Sequence, residues 1–140
     1  MNILLAADGS EYSRKAARSL ARLLSEGRNA TVHVLHVHAP LPYPGAAAQI
    51  GKAALERYQE EESCKALAIA EGELDSAGVA YKSHWTVGDV VHAIRDFSKK
   101  NAIDVIVMGT RGHTGVAAVA MGSVTQKVIA ASEVPVLLVP

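Results

Sequence analysis

Four glycines fall in one short stretch, MGTRGHTGVAAVAMGSVTQKV, between Met108 and Val128: Gly109, Gly112, Gly115 and Gly122. An apolar run, Ile103 to Val107, precedes it and reads as a buried strand. The pattern Val124, Val128, Ala131 that follows reads as a helix. Glycine allows positive φ and lets a ligand lie close to main-chain N–H groups. A helix N-terminus adds unpaired N–H groups and a partial positive charge. Together these make a place for an anion, and the working expectation is the phosphate chain of a nucleotide. No Gly-Lys-Ser/Thr closes the stretch, so it is not a Walker loop, and the glycines do not fall as G-x-G-x-x-G. A plain surface loop shares this composition, with Gly122 serving only the turn into the last helix, and physics alone does not separate the two readings.

Further chemistry-bearing residues are fewer. Asp8-Gly9-Ser10 ends the first apolar run. Thr31 to His38, TVHVLHVH, places His36 and His38 on one face of a strand and His33 on the other. Two histidines two apart can ligate a metal, but no third partner is evident, which favours a structural or ligand-adjacent role. Arg14, Arg18 and Arg22 recur on one side of the first helix; a solvated outer face explains them better than a binding track in a chain of net charge zero. Glu60-Glu61-Glu62 reads as a wet helix face.

The spacing Gly109-x-x-Gly112, nine residues, then Gly122-Ser123 resembles the ATP-binding pattern of the universal stress proteins. GSVTQKVI, Gly122 to Ile129, and Asp8-Gly9-Ser10 are also similar to that family, and the likeness runs from LLAADGS to the terminal VPVLLVP. The resemblance implies an open parallel five-stranded sheet of order 3-2-1-4-5 with helices on both faces, an α/β fold of the adenine nucleotide alpha hydrolase-like kind. It implies an ATP site, or one for AMP or ADP. In that site main-chain amides at Gly112, Gly122, Ser123 and Val124 hold phosphates, with the Ser123 hydroxyl adding one bond. Met108 and Gly109 bring the strand end close to the nucleotide. The Asp8 carboxylate meets ribose hydroxyls or helps to hold Mg2+ beside the phosphates. Val37 reads the adenine edge and Ala7 flanks the base. A glycine at the position of Gly88 lines the pocket in the family, although a simple helix start fits it as well. Arg111 and His113 either reach phosphates or stand in solvent. A turn-forming role competes for Asp8.

Several elements must position these residues. Asn2 to Ala7 is a short apolar run, the mark of a strand buried on both faces. Ser10 suits an N-cap, and Ala16, Ala17, Leu20, Leu23 and Leu24 form an apolar stripe that ends near Gly27. Ala39 to Gly45 is a proline-rich loop. The segment from there to about Ala77 is mostly helical, with a stripe at Cys64, Leu67, Glu71 and Leu74; Gly72 interrupts it, Gly78 ends it, and Cys64 is expected to pack as a small apolar residue. Val79 to Val87 reads as a strand at a sheet edge. A helix with Val90, Val91, Ile94 and Phe97 follows Gly88-Asp89 and stops at Asn101, after Lys99 and Lys100. Ile103 to Met108, a helix from Val124 to Ser132, and Val136 to Val139 complete the alternation, with Pro135 at the start of the last strand. Alternating strands and helices give a parallel sheet joined by right-handed crossovers.

Length and composition bound the rest. A chain of 140 residues with 49% hydrophobic content predicts one compact domain. Zero net charge and 4% aromatic residues argue against a nucleic-acid binder. One cysteine and a short apolar start that stops at Asp8 predict a cytoplasmic protein with no membrane span. The apolar last strand, Val134 to Val139, predicts pairing into a homodimer. The expected function is adenine-nucleotide binding in stress-response regulation, with weak or no hydrolysis. Two rivals stand beside it. One is a partner-binding stress module with an empty pocket. The other is a nucleotide-processing enzyme of the related α/β class, against which the absence of His-x-Gly-His and Ser-Gly-Gly-x-Asp-Ser signatures counts.

Overall fold

The structure, a computed structural model, describes residues 1–42, 45–113 and 121–140. The elements are β1 Asn2–Ala6, α1 Glu11–Leu24, β2 Thr31–His38, α2 Ala46–Ile50, α3 Lys52–Ser76, β3 Tyr81–Val87, α4 Val90–Lys100, β4 Val105–Gly109, α5 Ser123–Ala131 and β5 Val136–Val139. Gly115 and part of the proline-rich loop lie outside the described residues.

The strands form one parallel sheet in the order β3-β2-β1-β4-β5. β1 is central, and its apolar residues are buried on both faces: Leu5 pairs in register with Val34 of β2 and Val107 of β4. One core layer joins Ile3, Leu5, Val34 and Val107 to Ala16, Ala17 and Leu20 of α1 and to Leu67, Ala70 and Leu74 of α3. The other joins Leu4, Leu35, Ile106 and Met108 to Ile94 of α4 and Val128 of α5. The strand order reverses between β1 and β4. Two adjacent strands whose connections depart to opposite faces leave a crevice at their carboxyl ends, where ligands bind in open α/β sheets.

Helix phases depart from the sequence reading in three places. On α3 the buried positions are Ser63, Leu67, Ala70 and Leu74, and Cys64 is exposed. Small residues alternate with leucines on the buried face of this helix, and at Ala66 it passes close to the β1–α1 turn. A Cβ added at Gly9, where φ is +80°, would stand 2.9 Å from Ala66 Cα. Gly72 does not interrupt α3, which runs unbroken through it; the break comes at Gly51, with φ +86°, and separates α2 from α3. On α1 Leu23 is exposed while Ser13 is buried, and on α5 Thr125 is buried while Val124 is exposed. Arg18 leaves the solvated face of α1 to bind Glu73 of α3 through two hydrogen bonds of 3.1 and 2.8 Å. No helix among the described residues is long and apolar enough to cross a membrane.

Candidate functional site

A cleft opens at the carboxyl ends of β1 and β4. Ala6 of β1 and the following Ala7 and Asp8 line it, with Leu35, His36 and Val37 from β2, and Val90 and Ile94 from α4. Met108 to Gly112, Thr110 excepted, then His113 and Gly122 to Thr125 complete it. Ser13 of α1 reaches the same space, and the cavity measures about 210 Å³. Ten of the expected site residues meet here: Ala7, Asp8, Val37, Met108, Gly109, Gly112, His113, Gly122, Ser123 and Val124. Gly88 does not. It lines a neighbouring cleft with Trp85, Asp89 and His92, at the turn from β3 into α4.

Asp8 is held by the first turn of α1. Its Oδ1 accepts from the Ser10 N–H at 2.9 Å and from the Ser13 hydroxyl at 2.7 Å, and the Asp8 N–H donates to Ser13 Oγ at 2.9 Å. Ser10 caps the helix by accepting from the Ser13 N–H at 3.3 Å. The turn-forming and ligand roles of Asp8 therefore fall on different oxygens. Oδ1 is spent on the turn, and Oδ2 is the atom that a Cβ at Gly112 would strike. Burial pushes the Asp8 carboxyl up, but the hydrogen bonds from Ser10 and Ser13 and the charge of His113 outweigh it and hold the group below its ordinary value. Asp8 is thus ionised at neutral pH. A carboxyl with a depressed pKa stabilises the fold above the ordinary carboxylate range and loses that contribution as pH falls through its folded value. Urea unfolding of Asp8→Asn should therefore show a smaller loss of stability below about pH 4 than the parent chain; parallel pH profiles would contradict the assignment.

Two histidines fasten the end of β1. His36 Nδ1 donates to the Ala7 carbonyl at 2.8 Å, and His113 Nε2 donates to the Asp8 carbonyl at 2.7 Å. The first of these bonds fixes which nitrogen carries the proton in the neutral His36 ring. Burial, together with nearby His38 and His113, outweighs the Ala7 bond and Asp8 and holds His36 below the ordinary histidine value. A neutral His36 leaves its Nε2 lone pair as its remaining polar function.

The glycine positions have separate causes. Gly109 lies against α1: a Cβ there would stand 2.6 Å from Tyr12 Cβ. Its carbonyl accepts from buried Thr125 Oγ1 at 3.2 Å, which ties the first turn of α5 to the end of β4. Gly112 leaves room for the Asp8 carboxylate. Gly122 is the N-cap of α5, with φ −70° and ψ 159°, and its N–H donates to Thr110 O at 2.8 Å. That amide is engaged, so Gly122 offers space and not a bond. A cap without a side chain leaves the first-turn amides of α5, at Ser123 and Val124, with no acceptor among the described residues. Ser10 and Asp89 cap α1 and α4 instead. Arg111 donates to the Tyr12 hydroxyl at 3.1 Å and lies 5.7 Å from the ring centroid. Its guanidinium thereby sets a fixed positive charge at the cleft.

Sequence reasoning missed Ser13, Thr125, Val90 and Ile94 as parts of this wall. The first two carry a readable signal, a hydroxyl at an otherwise apolar helix position. The other two were assigned to a helix face, but not to the cleft. Among the described residues no group of three or more His, Cys, Asp or Glu side chains is placed to hold a metal ion.

Comparison with known proteins bears on the family and the fold. The model of the universal stress protein family matches residues 1–140. Universal stress protein MJ0531 of Methanocaldococcus jannaschii is 31% identical over 137 residues, 98% of this chain and 80% of that protein. A universal stress protein of Thermus aquaticus is 33% identical over 138 residues, 98% of this chain and 96% of its own. The solved structure of UspA from Lactobacillus plantarum superposes with a TM-score of 0.83 at 23% identity, covering 100% of this chain and 97% of that one. A universal stress protein in complex with cAMP gives 0.71 at 23% identity, covering 100% and 97%. A family member from Arabidopsis thaliana with AMP bound gives 0.64 at 16%, covering 99% and 90%. With a strand order of 3-2-1-4-5, a family model matched from end to end, and relatives above 30% identity over nearly the whole chain, the protein belongs to the universal stress protein family.

Proposed function

We propose that the cleft between β1 and β4 binds an adenine nucleotide, ATP or its di- or monophosphate, and that the single domain acts by binding and not by turnover. The observation that carries this reading is the uncapped N-terminus of α5, whose Ser123 and Val124 amides share one cleft with the ionised Asp8. Phosphate oxygens lie on those amides, on the Ser123 hydroxyl and beside Gly112, with Arg111 adding positive charge and His113 lining the same cleft. The adenine lies between Ala7 and Val37, over the apolar floor of Leu35, Ile94 and Met108. Asp8 Oδ2 meets the ribose. The complexes of related proteins with cAMP and AMP support the ligand class.

Mg2+ fits as a companion of the nucleotide. It takes one or two carboxylates plus phosphate oxygens and water, and Asp8 Oδ2, the oxygen not spent on the α1 turn, would serve the ion in place of the ribose. Bound there, the ion would neutralise phosphate charge. Hydrolysis needs a group that orients water and a positive charge that follows the leaving phosphate. Arg111 is committed to Tyr12 and His113 to the Asp8 carbonyl, so steady turnover of ATP is expected well below roughly 1 s⁻¹, the low end for dedicated enzymes.

The test is to denature the purified protein and identify by mass the nucleotide it releases. Adenine nucleotide in near-stoichiometric amount supports the reading. Protein that carries none, and takes up none at millimolar ATP, supports instead a partner-binding module with an empty cleft. In the same preparation the edge strand β5, with the Val134 to Val139 segment, is expected to pair two copies into a homodimer, read as twice the chain mass by light scattering at micromolar concentration. A cytoplasmic location goes with this reading.

A further inference from the structure

On the face of the sheet covered by α4, two histidines from neighbouring strands meet. His33 Nδ1 of β2 and His84 Nε2 of β3 are 3.0 Å apart, with ring centroids separated by 5.2 Å. Phe97 of α4 closes over both, edge to face, at 5.5 Å from His33 and 4.8 Å from His84. His33 is only 7% exposed, and His84 is half-buried. A gap of that length holds one proton: one nitrogen donates and the other accepts. A neutral pair meets this condition. So does a pair with one extra proton on an outward nitrogen. A second extra proton leaves two N–H groups facing one another, and two like charges under an apolar ring.

The surrounding charges sharpen this. Lys82 of β3 lies in register with His33 and adds positive charge. Asp89, the N-cap of α4, and His92, Asp96 and Lys100 of that helix line the cleft outside His84. β1 presents uncharged Leu4 in register with His33. Burial first, and Lys82 after it, hold His33 below the ordinary histidine value; burial, then His33, then Lys82 do the same for His84.

We propose that the His33–His84 pair is a proton-operated latch: neutral or singly protonated it fastens the edge strand β3 and helix α4 to the sheet, and doubly protonated, in mild acid, it releases them. Among the described residues β3 has no second neighbour to hold it. α4 carries Val90 and Ile94 into the β1–β4 cleft, and Leu35 lines both that cleft and the one beside the latch. Release therefore loosens the wall of the main cleft.

The sign follows from linkage. The unfolded chain takes protons on these rings near the ordinary value, the folded chain only at lower pH, so the latch contributes fully above about pH 6.5 and progressively less below it. The test uses the full chain. Trp85, the single tryptophan, adjoins His84 on β3 and reports its release. Urea unfolding followed by Trp85 fluorescence from pH 7.5 to 4.5 should show the unfolding constant of the parent chain rising at least about tenfold more than that of His33→Leu/His84→Leu, since each proton excluded from the fold gives up to tenfold per pH unit. The acid loss left in the variant comes from His36 and the carboxylates. Independently of whether that variant folds, ring-nitrogen NMR of the parent chain should show both histidines titrating in two coupled steps below pH 6.5. Equal pH profiles for the two chains, or two rings titrating independently as single sites near pH 6.5, would overturn the proposal.

Discussion

Replacing Gly122 by valine is expected to remove nucleotide binding and leave the fold in place. Its backbone, φ −70° and ψ 159°, suits any L-residue. A Cβ there meets Arg111 Cα at 3.5 Å and Thr110 O at 3.6 Å, which is ordinary contact, and the bond from the Gly122 N–H to Thr110 O is main-chain and survives. A valine at this N-cap costs the helix roughly 1 kcal/mol at most. Its branched methyls, however, enter the space between the Gly112 amide, 4.0 Å from the new Cβ, and the first turn of α5. Phosphate oxygens then lose the approach to at least two main-chain donors. Hydrogen bonds to a charged group contribute roughly 1.5–3 kcal/mol each, so affinity should fall about a hundredfold or more. Calorimetric titration with ATP, beside a melting curve, measures both halves. A folded variant with parental affinity would place the phosphates elsewhere.

The second large effect is on stability. Gly109→Ala should lower it by about 3 kcal/mol, or roughly 8 °C in melting temperature. The new methyl would stand 2.6 Å from Tyr12 Cβ and 3.1 Å from the Tyr12 carbonyl carbon and oxygen. None of these is the flexible end of a side chain, so α1 or the end of β4 must move. β4 is held on one side by its register with β5, where Gly109 meets Val139, and on the other by the Thr125 bond. Tyr12 also anchors Arg111, so the displacement reaches the glycine loop. A melting temperature within a degree of the parent would mean that α1 does not press on Gly109.

The two substitutions separate two jobs that the sequence presents as one motif. Gly109 and Gly112 are required by their protein neighbours, Tyr12 and Asp8, whereas among the described residues Gly122 meets nothing closer than ordinary contact. From sequence alone all three look like glycines near a ligand. Their spacing marks the loop because close approach and an open helix N-terminus both favour glycine there, but spacing does not tell which surface each one approaches.

Strand identity was legible for a similar physical reason. β1 and β4 are buried on both faces, so their runs are continuously apolar, and β3 at the edge is visibly more polar. Helix phase was less legible where small residues decide it. Ser63 is buried and Cys64 is exposed, although a hydropathy stripe favours Cys64. Gly72 looked like a break and is not one, since a single glycine inside a long helix costs about 1 kcal/mol and packing at Leu67 and Leu74 offsets it. The meeting of Asp8 with the glycine loop was expected, but individual pairings between distant side chains were not legible. The Asp8 carbonyl meets His113 across 105 residues, and His33 meets His84 across 51. Gly88 lines the cleft beside α4, at the turn into that helix, and not the cleft that holds Asp8.

Crystals grown with ATP and Mg2+ test the central claim most directly. The account predicts a nucleotide in the β1–β4 cleft, with phosphates on the Ser123 and Val124 amides and the ribose against Asp8. A vacant cleft at saturating ATP, or a nucleotide seated instead in the groove between α4 and α5 lined by Val91, Ile94 and Val128, would contradict it.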